Sequence, residues 1–462
     1  MAASPQAWPS QQPVTQPFWW PLPPLPGTPT PLEALVEGTT VETPCGTFFL
    51  RRTVFPLDHI YGPCRLGDLL GLPSQAAAAL ARQPELAEVP VDQLLFLDTE
   101  TTGLAGGTGT YVFLVGMGAF QHEAGQTCFV IDQCLMRSFR EERAMLAWVA
   151  DKLARFPALA TFNGRTFDVP LLQTRFALAR MRADLEEVLN FDLLHVARRL
   201  WRAAVPSCAL QSLERHILGT WRQDDVESFL IPAIYHQYLR DGDGRYLRKV
   251  FCHNEADILA MVALAARACR ALVGGPVSAA TGATARARPA RAEPWGQSTV
   301  VGSSVSAAEF LGLARLYEQL GQPAAAERAY RAALGGPLAA EHRWRALLAL
   351  ASLLKRTNRH DEAAALWQQV ADEAPAHSVI ALLELSKYWE HRRRDPARAH
   401  QLATEARARW IARLPATERP LPSLSRWSGP SAPLAAPDDF ERRLARLERK
   451  RQRLGPSPGC DD

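Results

Sequence analysis

Short hydrophobic runs alternate with amphipathic stretches through the middle of the chain. Runs of four to six apolar residues, rich in β-branched and aromatic side chains, are typical of buried strands. Stretches whose apolar residues recur every three or four positions are typical of helices covering a sheet. The predicted order is strand 94–97, strand 111–116, strand 128–131, helix 141–156, strand 159–162 and helix 169–181. This interleaving of strands and helices predicts an α/β layered sheet.

Beyond residue 304 the apolar residues follow helical spacing throughout, and no strand pattern is found up to residue 412. Small and aromatic residues recur there, and equivalent positions such as Phe310 and Leu347 lie 37 residues apart. This period is close to that of a tetratricopeptide unit, so we expect three tetratricopeptide-like helical hairpins. The tail, 438–454, combines an apolar face with seven basic residues. It predicts a basic helix that either stays solvated or lies on nucleic acid or a partner helix.

Changes in composition divide the chain into segments. Prolines are concentrated near both ends, and a stretch rich in Gly, Ala, Ser and Pro separates the α/β region from the helical region. The predicted segments are a disordered proline-rich arm (1–39), a lead-in subdomain (40–90), the α/β domain (91–273), a linker (274–304), the helical repeats (305–412), and a proline-rich segment with the basic helix (413–462).

Composition narrows the class of protein. A length of 462 residues predicts two or three domains. Because the net charge is only +4, any surface that binds nucleic acid is expected to be a local basic patch. The chain contains no run of 18 apolar residues, so we expect no membrane-spanning helix. The first 31 residues lack the basic start of a secretory signal, so we expect no such signal. The eight cysteines contain no CxxC pair, which fits reduced thiols. We therefore expect a cytoplasmic protein.

The segment 96–103 (FLDTETTG) is the most informative in the chain. A buried strand ends there in Asp98 and Glu100, which share one face because strand side chains alternate with a period of two. Two adjacent carboxylates at a strand end are unfavourable unless a cation lies between them. Hard oxygen ligands of this kind select Mg²⁺ or Mn²⁺ over zinc.

Two further segments add acidic groups. In 161–168 (TFNGRTFD) an apolar strand stops at a turn, and Asp168 opens the next helix, either as part of the site or only as a helix cap. In 253–257 (HNEAD) His253 and Asp257 are four residues apart, so they share a helical face. The sequence therefore offers four carboxylates and one histidine as candidates for a single site.

These segments carry a resemblance to known exonucleases. DTETTG, NGRTFD and HNEAD resemble the three motifs of the DnaQ-like, DEDD-type 3′–5′ exonuclease superfamily. The longer stretches LDTETTGLAGGTGTYVFLVG, TFNGRTFDVPLLQTR and FDLLHVARRLW resemble the YprB-like family of predicted RNase H-fold exonucleases, over about residues 45–270. The resemblance implies an RNase H-like mixed sheet flanked by helices, followed by an all-α region of tetratricopeptide-like repeats.

The resemblance also implies roles for individual residues. Asp98, Glu100 and Asp257 would hold the metal ion that activates water, Asp98 would bridge to a second metal ion, and Asp168 would assist through water. The superfamily places Tyr four residues, or His five residues, before the last Asp. Here His253 stands four residues before Asp257, and Cys252 stands five before it. His253 is the candidate general base, because its unperturbed pKa is about 6.5; alternatively, it only positions water or substrate.

Two functions of different classes remain open at this point. The first is a 3′–5′ exonuclease that uses two Mg²⁺ or Mn²⁺ ions on single-stranded or frayed nucleic acid, while the repeats recruit a protein partner. The second is a catalytically inactive nucleic-acid-binding adaptor with the same fold. Basic residues near the motifs, among them Arg175, Arg245 and Lys249, are candidates for phosphate contacts. DNA and RNA are not distinguished.

Overall fold

The computed structural model describes most of the chain in two compact units, one α/β and one helical. The predicted linker between them, the first part of the predicted arm and the second proline-rich segment lie almost entirely outside the described residues. The described residues are 25–103, 108–123, 125–183, 185, 187–274, 305–374, 377–413 and 437–454.

A seven-stranded mixed sheet forms the centre of the α/β unit. Its order is β1-β2-β7-β6-β5-β8-β9, antiparallel from β1 to β5 and parallel from β5 to β9, and β3 and β4 form a separate ribbon. The strands are β1 Thr39–Thr43, β2 Gly46–Pro56, β3 Ile60–Tyr61, β4 Cys64–Arg65, β5 Leu94–Thr101, β6 Val112–Glu123, β7 Gln126–Leu135, β8 Ala158–Thr161 and β9 Leu189–Asp192.

Helices cover this sheet and complete its hydrophobic core. The longest, α7, crosses β6, where Gly118 meets Ile258, while α2 packs against β2. The core joins strand residues such as Phe113 to helix residues such as Met145 and Tyr235. The helices are α1 Ser74–Ala81, α2 Glu142–Leu153, α3 Asp168–Leu178, α4 Leu193–Leu200, α5 Leu210–Leu213, α6 Ile231–Asp241 and α7 Gly244–Gly274.

The predicted α/β architecture is confirmed, and every strand and helix predicted between residues 94 and 181 is present. Strands β5, β6 and β7 extend four to seven residues beyond their predicted ends. The segment expected to be a lead-in subdomain packed on the α/β domain contributes β1 and β2 to the same sheet, because β1 pairs with β2 and β2 pairs with β7 over eight residue pairs. Residues 25–39 of the expected disordered arm are described, and Leu32 and Val36 lie in the core. The sheet therefore begins well before residue 90.

The second unit is all helical in its described residues after 304, as predicted. α8 and α9, α10 and α11, and α12 and α13 pack as three successive hairpins, and α14 packs on α13. Phe440 and Leu447 of α14 are buried, so the apolar face of the predicted basic helix is covered by this chain itself. The helices are α8 Ala307–Gln319, α9 Pro323–Gly335, α10 Ala340–Arg356, α11 His360–Glu373, α12 Val379–His391, α13 Pro396–Arg413 and α14 Pro437–Leu454.

No helix among the described residues is long and apolar enough to cross a membrane.

Candidate active site

The central strand β5 carries the first two acids of the site. Its hydrophobic half, residues 94–97, is fully buried, and Asp98 and Glu100 follow on one face. The pairing of β5 with β6 shifts register between Glu100 and Thr101. Irregularities of this kind redirect side chains at strand ends and are common beside active sites. The local pattern of β5 therefore brings two carboxylates to its carboxyl end.

Asp168 is positioned by the turn that follows β8. Asn163 adopts a left-handed φ of 67°, and its backbone N–H donates to the Asp192 carboxylate at 2.9 Å. Asp192 also accepts from the backbone N–H of Arg165 at 3.3 Å, so its role in the structure is to hold this turn. Asp168 then opens α3, and it accepts a hydrogen bond from the hydroxyl of Thr99 on β5. That contact ties the second motif to the first.

Helix α7 supplies the remaining predicted residues. His253 and Asp257 lie one turn apart, and Nε2 of His253 is 3.6 Å from a carboxylate oxygen of Asp257. One ligand atom each from Glu100, His253 and Asp257 lie within 4.8 Å of one another. The first and third motifs therefore meet in space, although more than 150 residues separate them in the sequence.

Glu100 and Asp168 are buried, Asp98 and Asp257 are half-buried, and the charges of these acids repel one another. Burial raises the pKa of Asp98 well above its usual value, and the charges of Asp257 and Asp168 raise it further. Burial likewise raises the pKa of Glu100, with further contributions from Asp98, Asp257 and Asp168. Burial also raises the pKa of Asp168, to about 6. A buried cluster of mutually repelling carboxylates is the environment that a divalent cation stabilises, so this donor set fits Mg²⁺ or Mn²⁺.

An arginine outside the three motifs also reaches the cluster. The guanidinium of Arg222 donates to Asp257 and, at 2.8 Å, to the buried Glu214. Tyr61 donates to the other oxygen of Glu214. Arg222 lowers the pKa of Asp98 and Glu100, but not enough to offset burial. The Arg222 guanidinium therefore neutralises part of the negative charge on the α7 side of the site.

A carboxylate behind His253 sets its orientation. Asp225 lies 2.8 Å from Nδ1 of His253, which leaves Nε2 facing Asp257 and the hydroxyl of Ser228, 3.4 Å away. Burial alone would lower the pKa of His253, but Asp257 and the hydrogen bond to Asp225 outweigh it and raise that pKa above its usual value. Asp225 was not predicted from the sequence, because it belongs to no motif or periodic element.

A directed chain of hydrogen bonds holds Asp98. The side chain of Arg51 donates to Gln133 at 2.8 Å, Gln133 donates to Asn254 at 2.9 Å, and Asn254 donates to Asp98 at 2.7 Å. Asp98, Gly116 and Gln133 are direct neighbours across β5, β6 and β7. Asn254 spans the middle strand above Gly116, where an added Cβ would lie only 2.1 Å from its Oδ1. The missing side chain of Gly116 makes room for this bridge.

Three of the basic residues suggested for phosphate contact form ion pairs within the protein. Arg175 is buried, bonds Glu142 at 2.6 Å and lies over the ring of Tyr111. Arg245 is paired with Asp243 at 2.6 Å. Lys249 is paired with Asp224 at 2.6 Å. Arg175 is therefore better described as a structural residue than as a phosphate ligand.

Comparison with known proteins agrees with this geometry. Residues 95–269 match the model of the RNase_H superfamily. Over 363 residues the chain is 27% identical to the uncharacterized protein YprB of Bacillus subtilis (strain 168), and the match covers 77% of this chain and 79% of YprB. The superfamily match indicates nucleic-acid binding and nuclease chemistry in general. Residues 95–269 are thus similar to the RNase_H superfamily, and the chain is similar to YprB over most of its length.

Proposed function

We propose that this protein is a divalent-metal-dependent nuclease that acts as a 3′–5′ exonuclease on single-stranded or frayed nucleic acid. The observation that carries the proposal is the largely buried cluster of Asp98, Glu100, Asp168 and Asp257, whose charges act on one another next to His253. The direction of attack is inferred from the resemblance of the three motifs to DEDD-type exonucleases.

The four carboxylates are the residues that would hold two Mg²⁺ or Mn²⁺ ions. When bound, such ions stabilise the attacking and leaving oxygens of a phosphodiester displacement. The chain's own contribution is to fix the acids before substrate arrives. Thr99 orients Asp168, and Asn254 orients Asp98, so these carboxylates do not have to be ordered during the reaction.

His253 is the proposed proton acceptor. With Nδ1–H donating to Asp225, Nε2, which faces Asp257 and the Ser228 hydroxyl, is the nitrogen that would take a proton from the attacking water. The buried position of the ring keeps this geometry fixed, because its side chain is only 4% exposed. Asp225 acts through His253 and is therefore a positioning residue.

A second function, a non-catalytic nucleic-acid-binding adaptor, is favoured by one observation. Arg222 already contacts Asp257, and a guanidinium there satisfies part of the charge that a metal ion would neutralise. In both functions we propose that the three helical hairpins are tetratricopeptide-like repeats that recruit a protein partner. The two functions differ in whether phosphodiester bonds are cleaved.

The test is hydrolysis of single strands labelled at the 3′ or the 5′ end by the purified full chain, with Mg²⁺, Mn²⁺ or EDTA. We expect metal-dependent release of mononucleotides from the 3′ end, abolished by Asp98→Asn. Asp92→Asn removes an exposed acid six residues earlier and serves as the matched control with unchanged activity. Equal cleavage by wild type and Asp98→Asn, or none by wild type with either metal, refutes the nuclease proposal. Internal fragments would refute only its exonucleolytic direction.

A further inference from the structure

Asp98 is connected to a distant part of the sheet by a line of side chains. Arg51 lies on β2, Gln133 on β7 and Asn254 on α7. The strand that carries Asp98, β5, is separated from β7 by β6. Along this line, successive donor and acceptor atoms lie 2.8, 2.9 and 2.7 Å apart. We call these four residues the Asp98 relay. It begins at a half-buried arginine and ends at a proposed metal ligand.

The two ends of the Asp98 relay fix the direction of every hydrogen bond in it. An arginine side chain has only donors, and an ionised carboxylate has only acceptors. The side-chain oxygen of Gln133 therefore faces Arg51, and its NH₂ group donates to Asn254. The backbone carbonyl of Phe251 accepts from the same NH₂ group at 2.8 Å, which favours the same orientation. Asn254 thus presents its own NH₂ group, and not its oxygen, to Asp98.

Burial makes this arrangement difficult to reverse. Gln133 and Asn254 are fully buried, so an amide that turned round would set like groups against each other without water between them. At the outer end, Arg51 forms an ion pair with the buried Glu255 at 3.1 Å, which keeps its guanidinium in place. The donor in front of Asp98 therefore depends on a charge located on β2, three strands away.

We propose that Arg51 and Gln133 are positioning residues for the metal site, because through Asn254 they keep a hydrogen-bond donor facing Asp98. A carboxylate held by such a donor keeps one orientation and does not have to be reordered when a cation binds. Outer hydrogen bonds of this kind typically change metal affinity by about 10- to 100-fold. Arg51 and Gln133 lie outside the three motifs and act through Asn254. The inference rests on the proposed function in one respect, namely that Asp98 binds a divalent cation.

The test compares two replacements of Gln133 by their affinity for Mn²⁺, measured by calorimetric titration of the full chain. Gln133→Met keeps the length of the side chain and removes its hydrogen bonds, which leaves the Asn254 amide without a fixed direction. Gln133→Glu keeps the bond to Arg51 but presents an oxygen to Asn254, so the amide turns round and its own oxygen faces Asp98. We expect affinity for Mn²⁺ to fall about 10-fold or more for Gln133→Glu, and by a smaller factor for Gln133→Met.

Two controls separate positioning from stability. Ile131→Val shortens a fully buried side chain two residues earlier on β7, so it should lower stability and leave affinity for Mn²⁺ unchanged. Arg51→Lys keeps a charged donor at the outer end of the relay and should bind Mn²⁺ nearly as tightly as the wild type, whereas Arg51→Met should bind it more weakly. Wild-type affinity in both Gln133 variants, or an equal loss in Ile131→Val, would overturn the inference. A loss in Gln133→Glu with none in Gln133→Met would also overturn it, because the added charge alone would then explain the loss.

A measurement without metal keeps this inference separate from the nuclease proposal. The amide introduced by Asp98→Asn can face Asn254 with either its donor or its acceptor, so it tolerates a reversed relay. In EDTA, Gln133→Glu should therefore destabilise the fold less in the Asp98→Asn background than in the wild type. Direct repulsion by the new charge would act on Glu100 as well, so the same comparison in the Glu100→Gln background should show a smaller difference.

The two proposals fail in different ways. If the wild type binds no Mn²⁺ but the stability difference specific to Asp98→Asn is found, the metal-dependent nuclease proposal fails and Gln133 still positions Asp98. If Asp98→Asn abolishes cleavage while both Gln133 variants bind Mn²⁺ normally, the nuclease proposal stands and the inference fails.

Discussion

Replacing Gly116 by alanine would place a methyl group against the amide that holds Asp98. The new Cβ would lie 2.1 Å from Oδ1 and 2.8 Å from Cγ of Asn254, so the amide must move by more than 1 Å to reach an ordinary contact distance. Asn254 is fully buried, and its amide bonds both Asp98 and Gln133. It therefore has no alternative position that keeps both hydrogen bonds.

The expected effect follows from these contacts. Losing two hydrogen bonds costs about 1 kcal/mol each, and overpacking adds about 1–3 kcal/mol, so the free energy of unfolding should fall by about 3–5 kcal/mol. Because Asp98 loses the group that orients it, affinity for Mn²⁺ should fall at least about 10-fold. Chemical denaturation in EDTA measures the first effect, and calorimetric titration of Mn²⁺ measures the second.

Gly118→Ala provides the control on the same strand face. Its Cβ would lie 2.5 Å from Cγ2 of Ile258 and 2.6 Å from the ring of Phe129, so it crowds the same helix without touching Asn254. We expect it to destabilise the fold and leave affinity for Mn²⁺ unchanged. The reasoning is refuted if Gly116→Ala binds Mn²⁺ as tightly as the wild type, or if Gly118→Ala weakens binding to the same extent.

Three further perturbations test the electrostatics of the site. The pKa of about 6 for Asp168 lies above its ordinary value of 3.8, so the folded state binds more protons between these values. Denaturation in EDTA should therefore show stability falling by about 3 kcal/mol or more as pH rises from about 4 to 6, because the raised pKa of Asp98 and of Glu100 acts in the same direction. A flat profile would contradict the carboxylate cluster. Arg222→Gln leaves the buried Glu214 without its cation and should lower the free energy of unfolding by about 3–5 kcal/mol. If the variant keeps the wild-type denaturation midpoint, the Arg222–Glu214 ion pair does not stabilise the fold as argued. His253→Gln should slow single-turnover hydrolysis at saturating Mn²⁺ on the order of 100-fold or more, and an unchanged rate would exclude it as the base.

The residues of the site whose relative positions are fixed by the spacing within one strand or one helix could be predicted from the sequence. Asp98 and Glu100 end a strand with a period of two, and His253 and Asp257 share a helical face, so local geometry fixes each pair. Asp168 follows an apolar strand and a turn, although its contact with Thr99 depends on the tertiary fold. Three ordered motifs were therefore enough to name the residues that meet around β5.

The supporting residues depend on contacts that no local pattern encodes. Arg222 and Asp225 lie between helices, and their partners are 35 and 28 residues away. The bond from Gln133 to Asn254 joins residues 121 positions apart and exists only because β5, β6 and β7 align in one register. The sequence did contain one indication of this contact. Gly116 interrupts an apolar strand, and a glycine within a strand often marks the close approach of another group.

The order in which the acids occur along the chain has a consequence for synthesis. Asp98 is made first, but Asp257 and the amide of Asn254 follow only after about 160 further residues. At about 5–20 residues per second this delay is roughly 10–30 s. Until α7 has emerged and docked on β6, the acids on β5 lack their amide and their counter-charged arginine. A nascent chain from which α7 has not yet emerged therefore has no assembled acidic centre, and any cleavage by the proposed nuclease must wait for the completed α/β unit.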